Sequence, residues 1–248
     1  TESNASVSPA AVNFGEVPVG ESSSQDITIE NTGDASLNVT DITITGGPFT
    51  VDNPNSTVEP GTTTLAGGES GTIVIESNPQ VSGSASAALE VSTTNATTQT
   101  DETVTATLGV VGTEPAIKLS TQSVSLGDTR LGGTSTQELE ITNTGNAPLN
   151  VSNVTVDSST GQFRLASEFE QTVIPSQGTE TVQIVFAPPL ANVSAAKNPS
   201  RDDRTRTATV TIESNDPDGN RSVGATGVLQ TAELDVQSSL RFAASGTT

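Results

Sequence analysis

Asp216-Pro-Asp218-Gly-Asn220 sets oxygen-bearing side chains at alternate positions beside a glycine. Hard cations such as Ca2+ take carboxylate and amide oxygens at such spacing, so Asp216, Asp218 and Asn220 are candidate calcium ligands. Asp-Gly is equally the favoured dipeptide of a hairpin turn, so the segment also reads as a plain connection with no cofactor. A second group consists of acceptors for modification. Asn-X-Ser/Thr occurs at Asn4, Asn38, Asn55, Asn95, Asn150, Asn153, Asn192 and Asn220, a modest excess for a chain this rich in Ser and Thr. Asn38, Asn150, Asn153, Asn55, Asn95 and Asn192 are the candidate glycosylation sites of an extracellular protein. Catalytic groups are scarce. The chain has no His and no Cys, which excludes Ser-His and Cys-His nucleophile pairs and imidazole or thiolate metal ligands. Carboxylate pairs remain, but the 29 acids read as a solvated face rather than a glycosidase pair, so no catalytic residue is assigned and no enzyme is expected.

The elements that would position these groups are repeated. Residues 7–45 recur at 119–157: Gly15, Gly20, Asn31-Thr-Gly33 and Leu37-Asn-Val39 return as Gly127, Gly132, Asn143-Thr-Gly145 and Leu149-Asn-Val151. Apolar residues alternate with period two at Ile27 and Ile29, Leu37 and Val39, and Ile42 and Ile44, and again at Leu139 and Ile141, Leu149 and Val151, and Val154 and Val156. That is the pattern of strands with one buried face. Between Val39 and Ile42, and between Val151 and Val154, the phase slips by one, which implies a β-bulge or a strand changing sheets. The Asn-Thr-Gly triplets are read as turns tolerant of positive φ. About seven short strands per copy predict two tandem immunoglobulin-like β-sandwiches, an all-β fold. The expected organisation is a tail at 1–6, a first domain at 7–113, a second at 116–231, and at 234–248 either the start of a third copy or an exchanged strand. The joints Gly112-Thr-Glu-Pro115 and Gln230-Thr-Ala-Glu233 are short, as stiff arrays require.

Composition narrows the partners. A net charge of −20, with 29 acids against 9 bases, excludes a nucleic-acid surface, which needs clustered Lys and Arg. No apolar run is long enough to cross a membrane. Lys118 and Lys197 are the only lysines, and acid excess with lysine scarcity fits a halophile, whose medium screens self-repulsion. With six Phe and no Trp, Tyr or Met, burial must come from Val, Ile and Leu on sheet faces.

The run Asn13-Phe-Gly15-Glu-Val-Pro-Val-Gly20, then Ile27-Thr-Ile-Glu-Asn-Thr-Gly33, with Val182-Gln-Ile-Val-Phe186-Ala-Pro188 and Thr211-Ile-Glu-Ser-Asn-Asp-Pro217 in copy two, resembles the ASH (hydin-like) domains, including those named choice-of-anchor D in prokaryotic surface proteins. Copy one departs from that pattern, with Glu76 standing for Phe186 and Thr93-Thr-Asn-Ala96 for Glu213-Ser-Asn-Asp216, so the resemblance defines its last strands less sharply. The resemblance implies scaffolding modules without catalytic residues. The expected role is a structural array in an extracellular filament, stalk, surface layer or virion fibre, whose partners are copies of itself or other surface proteins. Leu234, Val236, Leu240 and Phe242 are the candidate assembly strand, because a lone strand cannot bury its apolar face. The alternative is an adhesin or ligand-binding module that uses the 188–204 loop, with Arg201, Arg204 and Arg206.

Overall fold

A computed structural model describes residues 2–190 and 204–230. Module one contains β1 (Ala5–Ser8), β2 (Ala11–Pro18), β3 (Ser23–Asn31), β4 (Leu37–Thr45), β5 (Phe49–Val51), β6 (Thr64–Leu65), β7 (Ser70–Ser77), β8 (Gly83–Asn95) and β9 (Asp101–Thr113). Module two repeats the set as β10 (Ile117–Leu119), β11 (Ser123–Arg130), β12 (Ser135–Asn143), β13 (Leu149–Asp157), β14 (Phe163–Leu165), β15 (Thr172–Ile174), β16 (Thr179–Phe186), β17 (Thr205–Ser214) and β18 (Arg221–Gln230). Each module is a sandwich of two sheets. In module one the orders are β1-β3-β7-β5 and β2-β9-β8-β4-β6; in module two they are β10-β12-β16-β14 and β11-β18-β17-β13-β15. Alternate residues of facing strands fill each core: Ile27, Ile29, Val39, Ile73, Ile75, Leu89, Val91 and Leu108 in one, Leu139, Ile141, Val151, Ile184, Val210 and Ile212 in the other.

The opening strand is split in two, which raises the count above the expected seven. β1 pairs antiparallel with β3 in one sheet, after which β2 crosses to the other and pairs parallel with β9. The repeated glycines explain part of this path. Gly15 and Gly127 have φ of 70° and 66° and sit at the register breaks of β2 and β11, where a residue with a Cβ would be strained. The phase slip in β4 is also a bulge, since pairing with β8 shifts between Val39 and Asp41, and β13 shifts against β17 between Val151 and Asn153. Neither strand changes sheet.

Three expectations need correcting. Gly33 and Gly145 do not take positive φ. They are small because the incoming chain passes over them: a Cβ would stand 2.3 Å from Glu2 O in module one and 2.3 Å from Glu114 O in module two. The residues at 2–6 are not a tail, because Thr32 N–H donates to Asn4 O at 2.8 Å, Asp34 N–H to Glu2 O at 2.9 Å, and β1 begins at Ala5. The residue in Phe186's place is Ser77, not Glu76. Ser23 faces Ser77 across the first module's sheet as Ser135 faces Phe186 in the second. The last strands of module one are well formed, with 13 residues each in β8 and β9.

Candidate functional site

The segment entering each module is held by one buried asparagine. Asn143 is fully buried; its Nδ2 donates to Ala147 O (2.8 Å) and Ile174 O (3.0 Å), while Oδ1 accepts from Gly145 N–H (3.0 Å) and Ala116 N–H (3.3 Å). Asn31 makes the matching bonds to Ala35 O, Leu65 O, Gly33 N–H and Asn4 N–H. A buried amide that engages all of its polar atoms fixes the backbone around it, because leaving any of them unpaired costs about 1–3 kcal/mol. In each module this side chain ties the incoming segment to the turn after β3 or β12. Sequence reasoning took these residues for turn formers; the signal it had was their strict repetition beside a glycine.

Asn146 carries the tie across the joint. Its Nδ2 donates to Gly112 O of β9 at 2.8 Å, its Oδ1 accepts from Glu114 N–H at 2.8 Å, and its own N–H donates to Glu114 O at 3.0 Å. Asp34 occupies the equivalent place in module one and makes only the backbone bond to Glu2 O. A carboxylate cannot donate, so the amide at 146 is what lets one module hold the last strand of the other.

The oxygen-rich turn takes a structural part. Asp216 Oδ2 accepts from Ile117 N–H of β10 at 2.6 Å and lies 3.6 Å from Arg221, while Oδ1 accepts from Asp218 N–H at 2.8 Å. Asp218 pairs with the same guanidinium at 3.2 Å. Both carboxylates therefore face a cation supplied by the chain, and a Ca2+ ion would have to displace Arg221 and the β10 amide. Asn220 is exposed. Module one fills the role of Asp216 with Glu102, whose Oε2 accepts from Ala5 N–H at 2.9 Å. This carboxylate comes from β9 rather than from the turn, which hides the equivalence from sequence comparison.

The sequons divide by burial. Asn55 and Asn150 are exposed, and Asn38 and Asn153 are half-buried on β4 and β13. Asn38 also accepts from Thr64 Oγ1 at 2.8 Å. Asn95 is only 4% exposed, and its Oδ1 accepts from the Thr97 and Thr98 N–H groups at 2.8 and 2.9 Å. It caps a turn, and its side chain is not presented for a glycan. Asn192, Arg201 and the assembly strand Leu234, Val236, Leu240 and Phe242 lie outside the described residues, as does most of the 188–204 loop. Arg204 and Arg206 are half-buried. No helix among the described residues is long and apolar enough to cross a membrane.

Two immunoglobulin-like sandwiches, each opened by a strand shared between its sheets and joined by an asparagine latch, define the class of the protein. A family model for the HYDIN/CFA65/VesB-like Ig-like domain matches residues 4–108 and 115–222, and the chain belongs to that family. No curated protein matches it at a significant level. Among solved structures, a Porphyromonas gingivalis W83 protein of unknown function is 16% identical, with 91% of this chain and 99% of that one covered at a TM-score of 0.38. The ASH/PapD-like domain 7 of human CEP192 is 17% identical, covering 47% of this chain and 87% of that one at 0.33. The Vibrio cholerae VesB protease is 22% identical over 43% of this chain and 31% of its own, at 0.37.

Proposed function

We propose that this chain is a non-enzymatic, load-bearing piece of an extracellular or cell-surface assembly, such as a filament, stalk, surface layer or virion fibre, in an organism living at high salt. The observation that carries the reading is the joint. Asn146 bonds to both Gly112 and Glu114, so the connection between two copies of one module is specified by side chains and not left as a free linker. A chain selected only for two independent folds gains nothing from such a latch. The net charge of −20 supports the salt-rich setting, because self-repulsion of that size is damped once the screening length falls to a few ångströms. The exposed sequons Asn55 and Asn150 are proposed as glycan carriers in that setting.

Intact mass and light scattering of the protein isolated from its native source, kept in molar salt, test the proposal. Long polymers, or a much heavier chain of further modules, are the expected results. A free two-module monomer would overturn it.

A further inference from the structure

Module two leaves open a sheet edge that module one closes with its own backbone. After β5, the first module runs a segment beside β7. Asp52 N–H donates to Val74 O (2.8 Å) and Thr57 N–H to Thr72 O (2.9 Å), and in return Val74 N–H donates to Ser56 Oγ (2.9 Å) and Thr72 N–H to Thr57 Oγ1 (2.7 Å). Val58, next in line, is fully buried and packs over Gly71. In module two the connection from β14 to β15 spans only 166–171. Gln183 faces Glu138 as Val74 faces Asp26, and Thr181 faces Glu140 as Thr72 faces Thr28. At this edge Ala166 N–H reaches Gln183 O at 2.9 Å; Thr181 N–H, Thr181 O and Gln183 N–H have no partner among the described residues. Beside them lies a recess of about 610 Å³ lined by Leu165, Phe169 and Val182 and rimmed by Glu138, Glu170 and Glu180.

Resting on the structural reading above, we propose that residues 234–242 of a second copy of this chain add to the Thr181–Gln183 edge of β16 as an extra strand, linking copies. An unpaired edge beside a recess that offers both apolar and acidic side chains is the arrangement that binds extended segments, with backbone bonds for affinity and alternate side chains for specificity. The segment Leu234-Asp-Val-Gln-Ser-Ser-Leu-Arg-Phe242 supplies the complementary chemistry. Leu240 and Phe242 share the face that would meet Leu165 and Phe169. Arg241, between them, would point to the outer face, where Glu138 stands; in a chain with 9 bases against 29 acids, a cation flanked by two large apolar residues is a specific match to this acidic rim.

The native chain has no cysteine, so disulfide trapping reports this contact cleanly. Full-length Thr181→Cys/Ser239→Cys protein, oxidised in molar salt, should give ladders of cross-linked copies, and adding Phe242→Glu should cut their yield at least about tenfold. Cross-linking within single chains, no cross-linking, or a yield indifferent to Phe242→Glu would overturn the proposal. Light scattering of the cysteine-free chain separates this contact from the structural role. Assemblies that survive Phe242→Glu would remove this contact while keeping the structural role.

Discussion

The two modules fill the same end of the same sandwich with different side chains. In module one the set is Phe14, Phe49, Ser77 and Val110, with the Phe14 and Phe49 rings 5.5 Å apart. In module two the register places Leu126, Phe163, Phe186 and Gly227 at those positions, and the ring pair becomes Phe163 and Phe186 at 4.7 Å. Large and small have traded places across the sheets. Phe186 is fully buried because Gly227 has no side chain: a Cβ there would lie 2.4 Å from the Phe186 ring. Module one puts Val110 on the same strand position and shrinks its partner to Ser77. This end of the fold specifies a volume rather than a residue, as expected of close-packed interiors that tolerate compensated exchange.

The largest effects should come from breaking that compensation. Phe186→Ser alone leaves a cavity and should lower module two's stability by about 4 kcal/mol, and Gly227→Val alone should cost about 3 kcal/mol through overpacking. The double variant, which installs the first module's solution, should lose far less than the two single variants combined. Urea unfolding followed by a reporter in module two checks this, and simple additivity would refute the exchange. Ser77 offers the converse test. Its hydroxyl is buried with no hydrogen-bond partner, so Ser77→Ala should stabilise module one by about 1 kcal/mol, while a loss would show a bond the geometry does not contain.

A second contrast is the carboxylate that receives the first strand's amide. Asp216 is 6% exposed and bonds the β10 amide and Arg221 together, whereas Glu102 is half-exposed and bonds the Ala5 amide alone. Removing Asp216 strands the buried Ile117 N–H and leaves Arg221 to Asp218 alone. Asp216→Ala should therefore cost about 3 kcal/mol and Glu102→Ala about 1 kcal/mol, measured as the shift in each module's unfolding midpoint. A larger loss at Glu102 would mean that the half-exposed bond matters more than burial suggests.

The fold was legible in the sequence where physics acts locally. Alternation at Ile27 and Ile29 or Leu139 and Ile141 reported a buried face, and the phase slip after Val39 reported an irregularity, a bulge or a change of sheet that only the pairing resolves as a bulge, because both follow from the two-residue period of a strand. What escaped depends on who is near whom. Gly33 looked like a turn former, since nothing local reveals that Glu2 crosses over it. Glu102 was invisible as the counterpart of Asp216 because the two carboxylates approach the first strand from different elements. The Asp216-Pro-Asp218 spacing suggested a cation, and Arg221, only a few residues on, is the cation the turn faces; chain proximity hid a pairing that the fold makes plain.

The smallest expected change in stability, and the most informative for function, lies at the joint. Asn146→Asp copies the Asp34 of module one. It keeps an oxygen for Glu114 N–H but abolishes the donor to Gly112 O, and it sets a negative charge against a carbonyl. Each module keeps its own core, so the unfolding midpoints should move by less than about 1 kcal/mol, the usual worth of one hydrogen bond. The relative motion of the modules should nevertheless grow, read as a broader distance distribution between one spin label on each module. Raising KCl from about 0.1 to about 1 M shortens the screening length from about 10 to about 3 Å and should narrow that distribution only in part, because screening relieves repulsion without restoring a missing donor. Asn146→Asp labels as narrowly distributed as the native pair would show that the short connection alone holds the modules, and would take from the structural proposal the observation on which it stands.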